Sequence, residues 1–169
     1  MSTHPTNAIV NIWFGKLTNT TTLADVGHTS MWIGPNSRPY ISWWPDNGSL
    51  RKMNTYEQDE SEEGGQPHRV YYLRNLNEHN MLKKFNKLNH ASQLTTPHYR
   101  LMTKNCTNVV WRVLEAGGAG HYANAWYTQS LTLWTPNRIN HLCKELVKRG
   151  HGTEVEHRHR PQAWLPVIG

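Results

Sequence analysis

Residues 8–15, Ala8-Ile9-Val10-Asn11-Ile12-Trp13-Phe14-Gly15, alternate in polarity closely enough to predict a strand. Two more strands are predicted over Asp25 to Ile33 and Pro39 to Trp44, on either side of the turn Gly34-Pro35-Asn36-Ser37-Arg38, and a fourth over His68 to Leu73. In the second strand the alternation puts His28, Ser30 and Trp32 on one face. Beyond residue 76 the spacing lengthens. Met81, Phe85 and Leu88 predict an amphipathic helix over Asn77 to Asn89. A second helix opens at Cys106, carries positions 106, 109, 110 and 113 on one face, and ends at Gly117-Gly118, where glycine can take the left-handed capping conformation. A third follows Trp134-Thr135-Pro136-Asn137 and stops at Gly150, with Ile139, Cys143 and Leu146 on one apolar stripe. Its late cations, Lys144, Lys148 and Arg149, match the negative end of the helix dipole and need no ligand.

Between these elements the polar stretches are read as surface. The acidic run Glu57-Gln58-Asp59-Glu60-Ser61-Glu62-Glu63-Gly64-Gly65 is expected to be a solvated loop, its carboxylates too irregularly spaced for a metal site. The tail from His151 to Pro161 is rich in histidine but mixed with arginine and proline, which repel a cation and interrupt a ligand cluster. It is expected to be an exposed extension or a late edge segment. The whole is an α+β pattern, a single domain over 1–169 with 151–169 as a candidate C-terminal extension.

Composition narrows the class. A chain of 169 residues that is 37% hydrophobic can bury one sizeable core. No apolar run approaches the roughly 18 residues of a membrane span. Met1-Ser2-Thr3-His4-Pro5 lacks both the basic start and the apolar stretch of a signal peptide, so the expectation is a chain made soluble, with any export by another route. The two cysteines are too few for a disulfide framework. A formal charge of +6 and eight tryptophans suit an anionic surface. Nucleic acid is not the expected partner, because the chain has no phosphate-binding glycine loop, ribonucleoprotein signature or lysine–arginine stripe. Neither a metal nor another cofactor is expected.

Candidate chemistry rests on two residues. Cys106 begins a helix, where free backbone N–H groups and the dipole favour thiolate over thiol; Lys104 adds positive charge, and Asn105 or Thr107 can cap the turn. His28, on a strand, can serve as its base. Cys143, by contrast, reads as a small buried hydrophobe.

Gly27-His28 with alternation to Gly34, the strand Tyr40-Ile41-Ser42-Trp43-Trp44-Pro45, and Asn105-Cys106 followed by Val109-Val110 and Leu114-Glu115-Ala116-Gly117-Gly118 give the chain a resemblance. Over roughly residues 8 to 148 it resembles the circularly permuted papain-like enzymes, the NlpC-type and lecithin:retinol acyltransferase-like group, in which the histidine strands precede the cysteine helix. The resemblance implies a permuted papain-like fold whose antiparallel sheet packs against the helix carrying the nucleophile. Where acyltransferase-like relatives often carry a second histidine, this chain has Ser42, which becomes the first candidate for orienting His28, with Asp46 as the alternative carboxylate. An oxyanion would be held by the Cys106 backbone N–H and a second donor, for which Ser30 is a candidate.

The expected reaction is acyl transfer through an acyl-enzyme, most simply hydrolysis of membrane phospholipid acyl esters, with Trp43 and Trp44 beside the site at the lipid surface. Alternatives are a peptidoglycan endopeptidase or amidase, a protein deamidase, protease or acyltransferase, and a non-enzymatic binding module. The resemblance also implies a secreted antibacterial effector acting at the bacterial envelope, on a phospholipid surface or cell-wall substrate, with a cognate immunity protein as partner.

Overall fold

A computed structural model describes residues 5–15, 27–34, 39–46, 50–94, 106–123 and 134–157. The expected alternation produces a five-stranded antiparallel sheet of β1 (Ala8–Phe14), β2 (Gly27–Ile33), β3 (Tyr40–Ile41), β6 (Arg69–Leu73) and β7 (Gly152–Glu156), in the order β3-β2-β1-β6-β7. A separate two-stranded ribbon pairs β4 (Trp43–Asp46) with β5 (Leu50–Met53). Five helices complete the described part: α1 (Tyr56–Glu63), α2 (Glu78–Leu94), α3 (Cys106–Ala116), the short α4 (Ala119–Tyr122) and α5 (Pro136–Lys148).

Register separates the two faces of the sheet. Val10 pairs with Met31 and Ala8 with Ile33, and these side chains join Ile12, Tyr71 and Leu73 in a core with Met81 and Phe85 of α2, Val110 and Leu114 of α3, and Ile139, Leu142 and Leu146 of α5. Burying each such side chain contributes roughly 1.5–3 kcal/mol, which sets the register, because a slip of one residue would turn this apolar set to the other face. That other face carries Asn11 opposite Ser30 and Trp13 opposite His28. It is partly covered by the β4–β5 ribbon and α1, so a polar cluster is buried there without interrupting the helical core.

Two glycines fix local approach. Gly27, at φ +83°, precedes His28 in a position where a Cβ would collide with the Trp13 carbonyl oxygen and the Gly15 nitrogen. Gly117 ends α3 where a Cβ would press 2.7 Å from Met81 Cγ, so its lack of a side chain lets α3 lie close on α2.

One expectation is corrected. The acidic run is not a loop: residues 56–63 form α1, closed at its start by a capping box in which Thr55 Oγ1 accepts from the Gln58 N–H at 3.3 Å and Gln58 Oε1 accepts from the Thr55 N–H at 2.8 Å. Left-handed Gly64 ends it. Of the two alternatives for the tail, the late edge segment is the one found over residues 152–156. Gly152–Glu156 forms the edge strand β7, held to β6 by the register and by Arg69, which pairs with Glu154 at 3.1 Å and Glu156 at 3.0 Å; residues 158–169 lie outside the described part. Among the described residues no helix is long and apolar enough to cross a membrane.

Candidate active site

Cys106 is the first residue of α3, and α3 packs against β2, which carries His28. The two side chains are electrostatically coupled, each among the causes of the other's shift. Because β3 is only two residues long, β2 is paired there at Met31 and Trp32 but not at Thr29. Thr107 Oγ1 stands 3.6 Å from the Cys106 sulfur, and the Thr29 backbone N–H adds to the influences that hold the thiol down.

His28 Nε2 lies 3.0 Å from Ser42 Oγ and 3.2 Å from Asp59 Oδ2. Its other ring nitrogen, Nδ1, is therefore the one left for Cys106. Asp59 is the single buried residue of α1. Its carboxylate accepts from His28, from the Tyr40 hydroxyl, from Ser42 Oγ at 2.8 Å and from Trp44 Nε1 at 2.7 Å. Four donors on one buried carboxylate replace the water it has lost. Trp44 also stacks on the imidazole, ring centroids 4.4 Å apart, and the Trp13 ring lies 5.7 Å from it, inclined by 42°.

Electrostatics follow from this geometry. Burial opposes a charge on His28, but the Cys106 sulfur and then Asp59 outweigh it and raise the imidazole from its ordinary 6.5 to about 10. Burial likewise favours the neutral thiol at Cys106, yet the His28 charge and the hydrogen bonds from His28, Thr107 and the Thr29 N–H hold it below its ordinary 9.0. Asp59 is kept below 3.8 because its bonds and charge interaction with His28, aided by Tyr40 and Ser42, overcome its burial. All three directions favour the charged forms, an imidazolium between a thiolate and a carboxylate.

Measured against the sequence expectations, His28, Cys106 and Ser42 come together. Ser42 does not stand alone as the orienting group, since it relays to Asp59, which the sequence reading assigned to a solvated loop. The signal available was Thr55-Tyr56-Glu57-Gln58, a capping-box pattern that marks a helix start. Ser30 is not placed as an oxyanion donor. Its hydroxyl is taken by Tyr40 at 2.7 Å and Asn11 at 3.2 Å, behind the imidazole. Trp43 is buried in the apolar core and Trp44 is spent on His28 and Asp59, so this pair does not form a lipid-facing surface. Asp46 lies on β4, its side chain outside the described part, as are Lys104 and Asn105 entirely. Cys143 sits in the helical core, where burial and the Glu154 charge push its thiol up. No group of three or more histidine, cysteine or acidic side chains poised for a metal occurs among the described residues.

A family model, the IcsB middle domain, matches residues 50–164. The matched stretch contains Asp59 and Cys106 and begins after His28 and Ser42. No curated protein and no solved structure matches the chain.

Proposed function

The chain belongs to the IcsB middle-domain family, and from that premise we propose that it is a cysteine-dependent acyl hydrolase working through a thioester acyl-enzyme. The observation that carries the reading is the buried line Cys106, His28, Asp59, in which a thiolate at a helix start faces an imidazolium held by a carboxylate. A permuted papain-like fold is part of the proposal, supported by the antiparallel sheet packed on the cysteine helix and by the order His28, Asp59, Cys106 along the chain.

In the proposed reaction Cys106 Sγ attacks the acyl carbonyl carbon. Electron density moves to the carbonyl oxygen, which the Cys106 backbone N–H can meet, since the first N–H groups of a helix have no intrahelical acceptor. As the intermediate collapses, His28 Nδ1 gives its proton to the leaving alkoxide and the thioester remains. His28, now neutral, takes a proton from water as water attacks the thioester, and the acid departs with the thiolate restored. Asp59 holds the imidazole in place and stabilises its charge throughout.

The proposed substrate is a membrane phospholipid acyl ester at a bacterial envelope, with an immunity protein covering the site in the producing cell. Its support is the net charge of +6 and the exposed Lys83 and Lys87, one turn apart on α2 beside the nucleophile-bearing α3. Anionic phospholipid vesicles incubated with the full chain are expected to yield free fatty acid and lysophospholipid. Cys106→Ala should bind the vesicles and yield neither. Lysophospholipid without fatty acid would identify an acceptor other than water, whereas new muropeptides from peptidoglycan with no lipid product would replace the lipid reading by wall hydrolysis.

A further inference from the structure

A groove of about 710 Å³ is lined in part by Tyr40, whose hydroxyl bonds Asp59. Its wall is aromatic: Trp32 lies 4.7 Å from Tyr40 and 4.9 Å from Tyr56, centroid to centroid, with the rings inclined by 43° and 35°. Pro39 continues the wall and Glu57 stands exposed at the rim. Asn54 also lines it, only 5% exposed, and neither its Nδ2 nor its Oδ1 has a hydrogen-bond partner among the described residues. A carboxamide so deeply buried is ordinarily satisfied on both atoms. Both atoms lack accessible surface with the groove empty, so a ligand pairs with them as the carboxamide turns toward it.

We propose that the groove binds an extended, proline-rich peptide segment with a basic residue at one end. Such a segment is a polyproline II helix without internal hydrogen bonds, so its carbonyl oxygens remain free to accept and its prolines supply no N–H. Asn54 Nδ2 donates to one of those carbonyls, and the N–H of a non-proline residue satisfies Oδ1. Inclined rings form ridges with notches between them, the relief on which pyrrolidine rings pack in aromatic-lined recognition grooves. Glu57 is the charge at the rim and the described lining holds no cation, which selects a lysine or arginine flank and disfavours an anionic ligand. A quaternary ammonium would suit the rings but leave both Asn54 atoms unmet. The proposal is independent of the chemistry at Cys106.

The test uses the full chain and a fluorescein-labelled peptide of about ten residues with prolines at every third position, a pattern that keeps the polyproline II repeat, and one terminal arginine. Its fluorescence polarisation is expected to rise saturably, with a Kd on the order of 10–100 µM. Trp32→Ala and Asn54→Leu should each weaken binding about tenfold or more, a change of about 1.4 kcal/mol. Glu57→Gln, at an exposed position, should weaken binding of the arginine-ended peptide and leave its uncharged counterpart unaffected, which keeps the test decisive if Asn54→Leu fails to fold. Circular dichroism identifies any variant that has unfolded. The proposal is overturned by the absence of saturation at about 1 mM, by equal binding of a peptide with glycine in place of proline, or by wild-type affinity in folded Trp32→Ala. Displacement of the peptide by equimolar tetramethylammonium would overturn it in favour of a simple cation site.

Discussion

The thiol of Cys106 and the carboxylate of Asp59 act on one another through a single ring. Asp59 raises His28 by hydrogen bond and charge, and the charged His28 lowers Cys106. Asp59→Asn keeps the shape and loses the charge, so the imidazolium becomes less favourable and the thiol pKa must rise. Iodoacetamide alkylation of Cys106, followed by mass spectrometry across pH, is therefore expected to remain fast well below the ordinary thiol value of 9.0 in the natural protein. In Asp59→Asn its midpoint should move upward and acyl turnover should fall on the order of 10²-fold or more. Cys143, whose thiol is pushed the other way, should resist the reagent over the same range. An unchanged alkylation profile in Asp59→Asn would remove the carboxylate from the mechanism. Cys106 and His28 could be paired from sequence because each is conspicuous where it stands, a thiol at a helix start and an imidazole in a strand. Asp59 could not, because its burial depends on Tyr40, Ser42 and Trp44, partners supplied by other elements.

At the scale of elements, α1 is the unusual one. It has no apolar stripe, and of its residues only Asp59 is buried, so periodicity left no trace of it. What holds it is its caps, the acceptance of Trp13 Nε1–H by the Gly65 carbonyl at 2.8 Å just beyond its end, and the contact of Tyr56 with Trp32. The antiparallel strands were legible for the opposite reason, since β1 and β2 alternate and one set of their side chains fills the helical core. Adjacent Trp43 and Trp44 misled because alternation sends one into the core and the other onto His28, a distinction tryptophan content does not carry. Since α1 carries the carboxylate, its capping box is a structural lever on the site. Thr55→Ala should cost about 1 kcal/mol and lower the melting temperature by roughly 2–4 °C. Amide exchange should quicken over residues 56–60, and Thr55→Ser should restore it. Equal exchange in Thr55→Ala and the natural protein would show that the cap does not hold α1.

For the whole molecule, folding is what couples the two groups, because β2 and α3 bring His28 and Cys106 together from distant parts of the chain. That ties stability to pH with a definite shape. His28 is raised from 6.5 to about 10, so its contribution is full below 6.5 and is lost as pH climbs toward 10. Cys106 is lowered from 9.0, so its contribution is full above 9.0 and is lost as pH falls through its folded value. Between 6.5 and 9.0 the His28 contribution falls with pH while that of Cys106 rises, so the two slopes offset one another. Above 9.0 the unfolded thiol loses its proton while folded His28 keeps its own, and stability falls by up to about 1.4 kcal/mol per pH unit. Cys143, raised by burial, would add its own fall above 9.0, so the comparison is made in proteins carrying Cys143→Ala. Denaturant unfolding of that protein across pH 6 to 10 is expected to show a plateau ending in a break near 9. Adding Cys106→Ala removes the only remaining thiol and with it the break. A break of the same size in both proteins would mean that it arises from other groups and that the Cys106–His28 pair holds no extra proton on folding, which removes the coupling assigned to the pair.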